Sequence, residues 1–92
     1  MRVLVVDDEV ELADAVANGL REEGFDVDVT NDGREGFERA RSSTYDAIVL
    51  DILLPGMNGF QVCRALREAG VWTPILMLTA KEGEYDEAEA LD

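Results

Sequence analysis

The chain has 92 residues, 47% of them hydrophobic and 7% aromatic, which describes one small globular domain with a modest core. Its 21 acidic side chains against 8 basic ones give a formal charge of −13, which excludes a basic nucleic-acid footprint, disfavours an anionic membrane surface and suits cations or a basic partner. Histidine is absent, which removes the commonest general base and metal ligand, and the lone Cys63 excludes an internal disulfide.

The N-terminus offers only Val3-Leu4-Val5-Val6 before acids begin, too short for a signal peptide, and no apolar run approaches the roughly 20 residues needed to cross a bilayer. A soluble, cytoplasmic protein is the expectation. That first run is continuous rather than alternating, as strands covered on both faces of a parallel sheet read. Ala13, Val16, Ala17 and Leu20 then follow helical spacing, with Gly24 as a stop. From Phe25 to Thr30 the period changes to two, with Phe25, Val27 and Val29 against Asp26, Asp28 and Thr30, which predicts a half-exposed edge strand.

Asp32-Gly33-Arg34-Glu35 predicts a turn into a capping box, with Phe37 and Ala40 on the inner face of a second helix. Ala47-Ile48-Val49-Leu50 is a second buried strand, and Val62, Ala65, Leu66 and Ala69 are the stripe of a third helix ending at Gly70. Ile75-Leu76-Met77-Leu78 is the last apolar run, and an acidic tail extends from Lys81 to Asp92. Such alternation specifies an α/β fold, an open parallel sheet with helices on both faces.

The polar residues fall at the strand ends. Val6 is followed by Asp7-Asp8, Leu50 by Asp51 and Leu78 by Thr79. Open parallel sheets bind ligands beyond the carboxyl ends of their strands, and right-handed crossovers place the first, third and fourth runs side by side. Three carboxylates and a hydroxyl therefore converge. Carboxylates so close repel, and a divalent cation relieves them; oxygen ligands without histidine or cysteine favour Mg²⁺. A carboxylate beside Mg²⁺ is suited to attack phosphorus and accept a phosphoryl group.

Plainer readings exist for single residues. Asp8 with Glu11 fits a helix N-cap and capping box, Asp51 fits a turn, and Thr79 can simply end its strand. Their coincidence at three strand ends favours a site. Cys63 reads as a small apolar packer, Trp72 as a local lid over the core, Met57 as loop structure, and Asp26 and Asp28 as solvated surface.

Val5-Val6-Asp7-Asp8-Glu9, the stretch from Asp46 through Asp51 and Pro55 to Gly59, and Pro74 to Lys81 resemble the receiver domain of bacterial two-component response regulators. The resemblance covers essentially the whole chain. It implies a flavodoxin-like receiver architecture with strand order 2-1-3-4. It also implies Asp51 as phosphoacceptor, Asp7, Asp8, Asp51 and the Leu53 carbonyl as Mg²⁺ ligands, and Thr79 as a switch hydroxyl. Pro55 and Gly59 would shape the loop after Asp51, and a sensor histidine kinase would be the donor. The module would not act as an enzyme on other molecules, catalysing only its own phosphorylation and dephosphorylation.

Family members have five strands and five helices, whereas residues 1–92 read as an incomplete receiver that stops within the fourth helix, without the fifth strand and last helix. The fifth-strand lysine and aromatic residue are absent, and Lys81, beside Thr79, does not replace them. The fourth strand is then expected to present a bare edge that favours self-association or strand exchange. The rival reading is an engineered or truncated fragment that serves as an assembly unit without signalling. A phosphohydrolase that attacks through aspartate would need a second aspartate where Leu53 stands.

Overall fold

The computed structural model describes residues 1–78. The uninterrupted apolar run at the N-terminus forms β1 (Arg2–Val6), in which all but Arg2 are buried. The chain continues through α1 (Val10–Glu22), β2 (Asp26–Thr30), α2 (Gly33–Ser42), β3 (Ala47–Asp51), α3 (Gly59–Glu68) and β4 (Ile75–Leu78). The strands form one parallel sheet in the order β2-β1-β3-β4, as the sequence predicts. Its register pairs Val6 with both Thr30 and Leu50, and Asp51 with Leu78, so the strands end level with one another.

Alternation along the strands divides the core in two. Leu4, Val6, Ile48 and Leu50 face α2 and α3 and pack with Ala40, Val62 and Leu66. Val3, Val5 and Val27 face α1 and pack with Ala13 and Ala17, while Val16, Leu20 and Phe25 close the margin. Burying these side chains is the main favourable term in the fold, each fully buried Val, Leu or Ile contributing about 1.5–3 kcal/mol. Gly24 and Gly70, with φ of 97° and 80°, follow α1 and α3 in the left-handed conformation that ends a helix without a Cβ clash.

Helix capping differs from the sequence reading at the starts of α1 and α2, where the expected capping box at Asp32–Glu35 forms only its Asp32 half. Asp32 caps α2 by accepting from the Glu35 amide, and Asn58 and Gln61 form a reciprocal capping box on α3. The Asp8–Glu11 cap does not form. The N-cap of α1 is Glu9, which makes no side-chain cap bond. Its amide instead donates to Asp7 Oδ1 at 2.9 Å, so a local turn at Asp7 takes the place of a cap at Asp8.

Other expectations are corrected by packing. Thr30 pairs with Val6 and lies under Gly36 of α2, so it is 2% exposed rather than on an open strand face. Trp72 is 72% exposed and is no lid. Arg67 donates to the carbonyls of Val71 and Thr73, which turns the residue between them outward, and its guanidinium lies 5.6 Å from the indole centroid. Leu76 is 61% exposed, so β4 is not covered on both faces among the described residues; α1 packs over β1 and β2 and leaves the far side of the sheet bare there. No helix among the described residues is long and apolar enough to cross a membrane.

Candidate functional site

β1 and β3 are adjacent and parallel, and Val6 pairs with Leu50, so the next residues, Asp7 just past β1 and Asp51 at the end of β3, stand side by side at the sheet's carboxyl edge. Both are buried, at 4% and 6% exposure, while Asp8 is exposed above them. One carboxylate oxygen from each of Asp7, Asp8 and Asp51 lies within 4.8 Å of the others. The structure thus brings together the three acids that the sequence places at strand ends.

Electrostatics mark the cluster as incomplete. Burial, then the neighbouring charges of Asp7 and Asp8, push the Asp51 carboxyl from 3.8 up to about 6, against the backbone amides of Ile52 and Leu53, which favour the anion. Asp7 is also raised, by burial first and by Asp8 last, with the Glu9 amide opposing. No ion pair reaches any of the three among the described residues. An all-oxygen set of two buried acids and one exposed acid, crowded and unpaired, fits a hard divalent cation such as Mg²⁺.

Backbone packing holds Asp51 in place. Its carbonyl and the Ile52 Cα lie where a Cβ on Gly59 would come within 2.5 Å and 2.9 Å, so α3 starts directly against the chain that leaves β3. Gly59 also donates to the Ile52 carbonyl at 2.7 Å, and Ile52 donates to the Leu78 carbonyl at 3.1 Å. Leu53 follows in the loop with its side chain exposed and its amide turned to Asp51. Thr79 and Lys81 lie outside the described residues.

A second polar cluster went unread in the sequence. Asp28, expected to be solvated, accepts from the Tyr45 hydroxyl at 2.6 Å and from Arg2 at 2.9 Å, with Arg39 at 3.5 Å. The period-two pattern puts Asp28 on the α2 face, but nothing in the sequence brings Tyr45 and both arginines to it.

The response regulator receiver domain family model matches residues 3–92. The transcriptional regulatory protein CutR of Streptomyces coelicolor is 51% identical over 92 residues, covering 100% of this chain and 42% of its own length. Response regulator TrrA of Thermotoga maritima in complex with Mg²⁺-BeF superposes with a TM-score of 0.82 at 36% identity, covering 88% of this chain and 70% of that one. A chain from the complex of histidine kinase ThkA with TrrA superposes at 0.80 and 34% identity, covering 96% and 77%. The chain spans about two-fifths of the length of the curated relatives it matches.

Proposed function

The chain belongs to the response regulator receiver domain family, and we propose that Asp51 is its phosphoacceptor, with Asp7, Asp8, Asp51 and the Leu53 carbonyl holding Mg²⁺. The observation that carries this reading is the convergence of three unpaired carboxylates at adjoining strand ends, with one pushed up to about 6. Structural acids are paired, as Asp28 is; an acid cluster left without counter-charge is arranged for a ligand.

The chemistry follows from the positions. An Asp51 oxygen forms a P–O bond while the donor's P–N bond breaks, and the departing imidazole of a sensor kinase histidine gains a proton. Mg²⁺, when bound, supplies positive charge to the acids and to the phosphoryl oxygens. Burial and the fixed backbone of Ile52 and Gly59 keep the Asp51 carboxylate from swinging away, which lowers the entropic cost of reaction. The related TrrA complexes with Mg²⁺-BeF, a tetrahedral stand-in for a phosphoryl group, and with a histidine kinase support both the metal and the donor. Thr79, directly after β4 in sequence, would be the hydroxyl that answers phosphorylation, and the module would act on itself rather than as an enzyme on other substrates. A cytoplasmic location accords with a cytosolic kinase as donor. Self-association along β4 belongs to the same reading, and the exposed Leu76 on that strand supports it.

Intact-mass measurement after incubation with Mg²⁺ and a small phosphodonor tests the reading. One base-labile phosphoryl group is expected on the native chain, and none on Asp51→Asn. Labelling that survives Asp51→Asn refutes the assignment.

A further inference from the structure

The β2–α2 connection contacts the acid cluster from the side, and its contacts concentrate on one residue. Asp7 donates its amide to the Thr30 carbonyl at 3.1 Å. The Asp7 carbonyl accepts from Asn31 Nδ2 at 2.8 Å, and Asp7 Oδ1 accepts from the Glu9 amide at 2.9 Å. Both backbone groups of Asp7 and one carboxylate oxygen therefore have partners, two of them from the consecutive residues Thr30 and Asn31. Asp7 Oδ2 has no protein partner among the described residues.

We propose that Asn31 is a positioning residue for the acid cluster: its side-chain amide holds the Asp7–Asp8 peptide in the orientation that lets Asp7 and Asp8 share a divalent cation with Asp51. The proposal rests on the reading of the cluster as a cation site.

The peptide between Asp7 and Asp8 sets the direction in which Asp8 leaves the sheet, and Asn31 is the only side chain bonded to that peptide's carbonyl among the described residues. Like charges drive the acids apart when no cation is present, so a tether on their backbone opposes the splaying. Mg²⁺ tolerates little deviation from octahedral geometry, which makes its affinity sensitive to the placement of each oxygen.

Asn31 is itself firmly held. It lies between Thr30, which is buried in the β1 pairing, and Asp32, the cap of α2. The next residue, Gly33, donates to the Pro55 carbonyl at 3.3 Å and sits so close to the Met57 carbonyl that a Cβ would overlap it. Gly36 lies against Val6 and Thr30, where a Cβ would come within 2.8 Å of a Val6 methyl and 3.2 Å of the Thr30 hydroxyl. The first turn of α2 is thus wedged between the end of β1 and the loop that follows Asp51, and Asn31 bonds from a fixed base. A carbonyl acceptor also settles which end of the Asn31 amide faces Asp7, because only the nitrogen can donate.

Calorimetric titration with MgCl₂, well below the unfolding transition, separates positioning from general stability. Asn31→Ala should weaken Mg²⁺ binding about tenfold, the low end for residues that orient metal ligands. Tyr45→Phe, which removes a hydrogen bond from the Asp28 cluster instead, should leave the affinity unchanged. In the metal-free protein, the amide resonance of Asp8 should shift in Asn31→Ala and stay in place in Tyr45→Phe. Native affinity in Asn31→Ala, or equal weakening in both variants, overturns the proposal. A native chain that binds no Mg²⁺ at millimolar concentration overturns the cation-site reading and the proposal with it.

Discussion

Asp28 and Asp51 lie on the strands that flank β1, and their carboxyls are displaced in opposite directions. Asp28 is held below the usual carboxylate range, first by the Tyr45 hydroxyl and then by Arg2 and Arg39. Asp51 is pushed up to about 6 by burial and by two more acids. The difference lies in the partners that the fold brings to each. One region of the sheet closes its polar network with its own side chains. The other leaves an acid cluster open, at a cost to folding that a bound cation would relieve. Opposed shifts on one residue type thus distinguish an acid paired within the fold from one left unpaired.

The largest effect on this contrast is expected from Gly59→Ala. Its new methyl would meet the Asp51 carbonyl and the Ile52 Cα, both backbone atoms that cannot rotate away. A loss of about 2 kcal/mol or more is expected in urea unfolding, together with weaker Mg²⁺ binding, because the chain carrying Asp51 must shift. Gly19→Ala, in open space on α1, should instead be neutral or stabilising and leave binding alone.

The next effect is one of pH. The folded pKa of Asp51 is raised above the unfolded value, so between 3.8 and about 6 the native state retains a proton that the unfolded chain has lost. Its contribution to stability is complete below pH 3.8 and is lost as pH rises through about 6, on the order of 1–2 kcal/mol after allowance for solvent screening. Saturating Mg²⁺ should flatten that decline in thermal unfolding curves. Asp28 has the opposite sign. Its pKa is lowered, so its contribution is present above 3.8 and lost as pH falls through the folded value.

The smallest effect is expected from Tyr45→Phe, about 1 kcal/mol from one hydrogen bond to a partly exposed carboxylate. Denaturant unfolding should show the loss at neutral pH. The acid end of the stability profile should shift as well, since Asp28 loses the partner that lowers it most.

Much of this contrast was legible in the sequence, on one side only. Continuous apolar runs ending in Asp7-Asp8 and Asp51 specify both the strands and the edge where ligands collect, because parallel sheets align strand ends by topology alone. The Asp28 cluster was not legible. Tyr45 sits on the connection between α2 and β3, and Arg2 and Arg39 come from β1 and α2, so only tertiary packing unites them. The Asp8 cap failed for a local reason: α1 begins at Val10 with Glu9 at its N-cap, which leaves Asp8 one position too early to cap it. Trp72 failed for another: loop anchoring by Arg67 decides which of its residues faces the core. The bracing of Asp7 by Asn31 has no sequence signature, because asparagine between a strand and a cap is an ordinary turn residue.

The most direct test of the central claim is a carbon-13 NMR titration of the side-chain carboxyls, with and without Mg²⁺. Without the metal, Asp51 should titrate with a midpoint near 6 and Asp28 below 3.8. With Mg²⁺, the Asp51 midpoint should fall below 3.8 while Asp28 stays where it was. An Asp51 midpoint close to 3.8 that ignores Mg²⁺ would contradict the account.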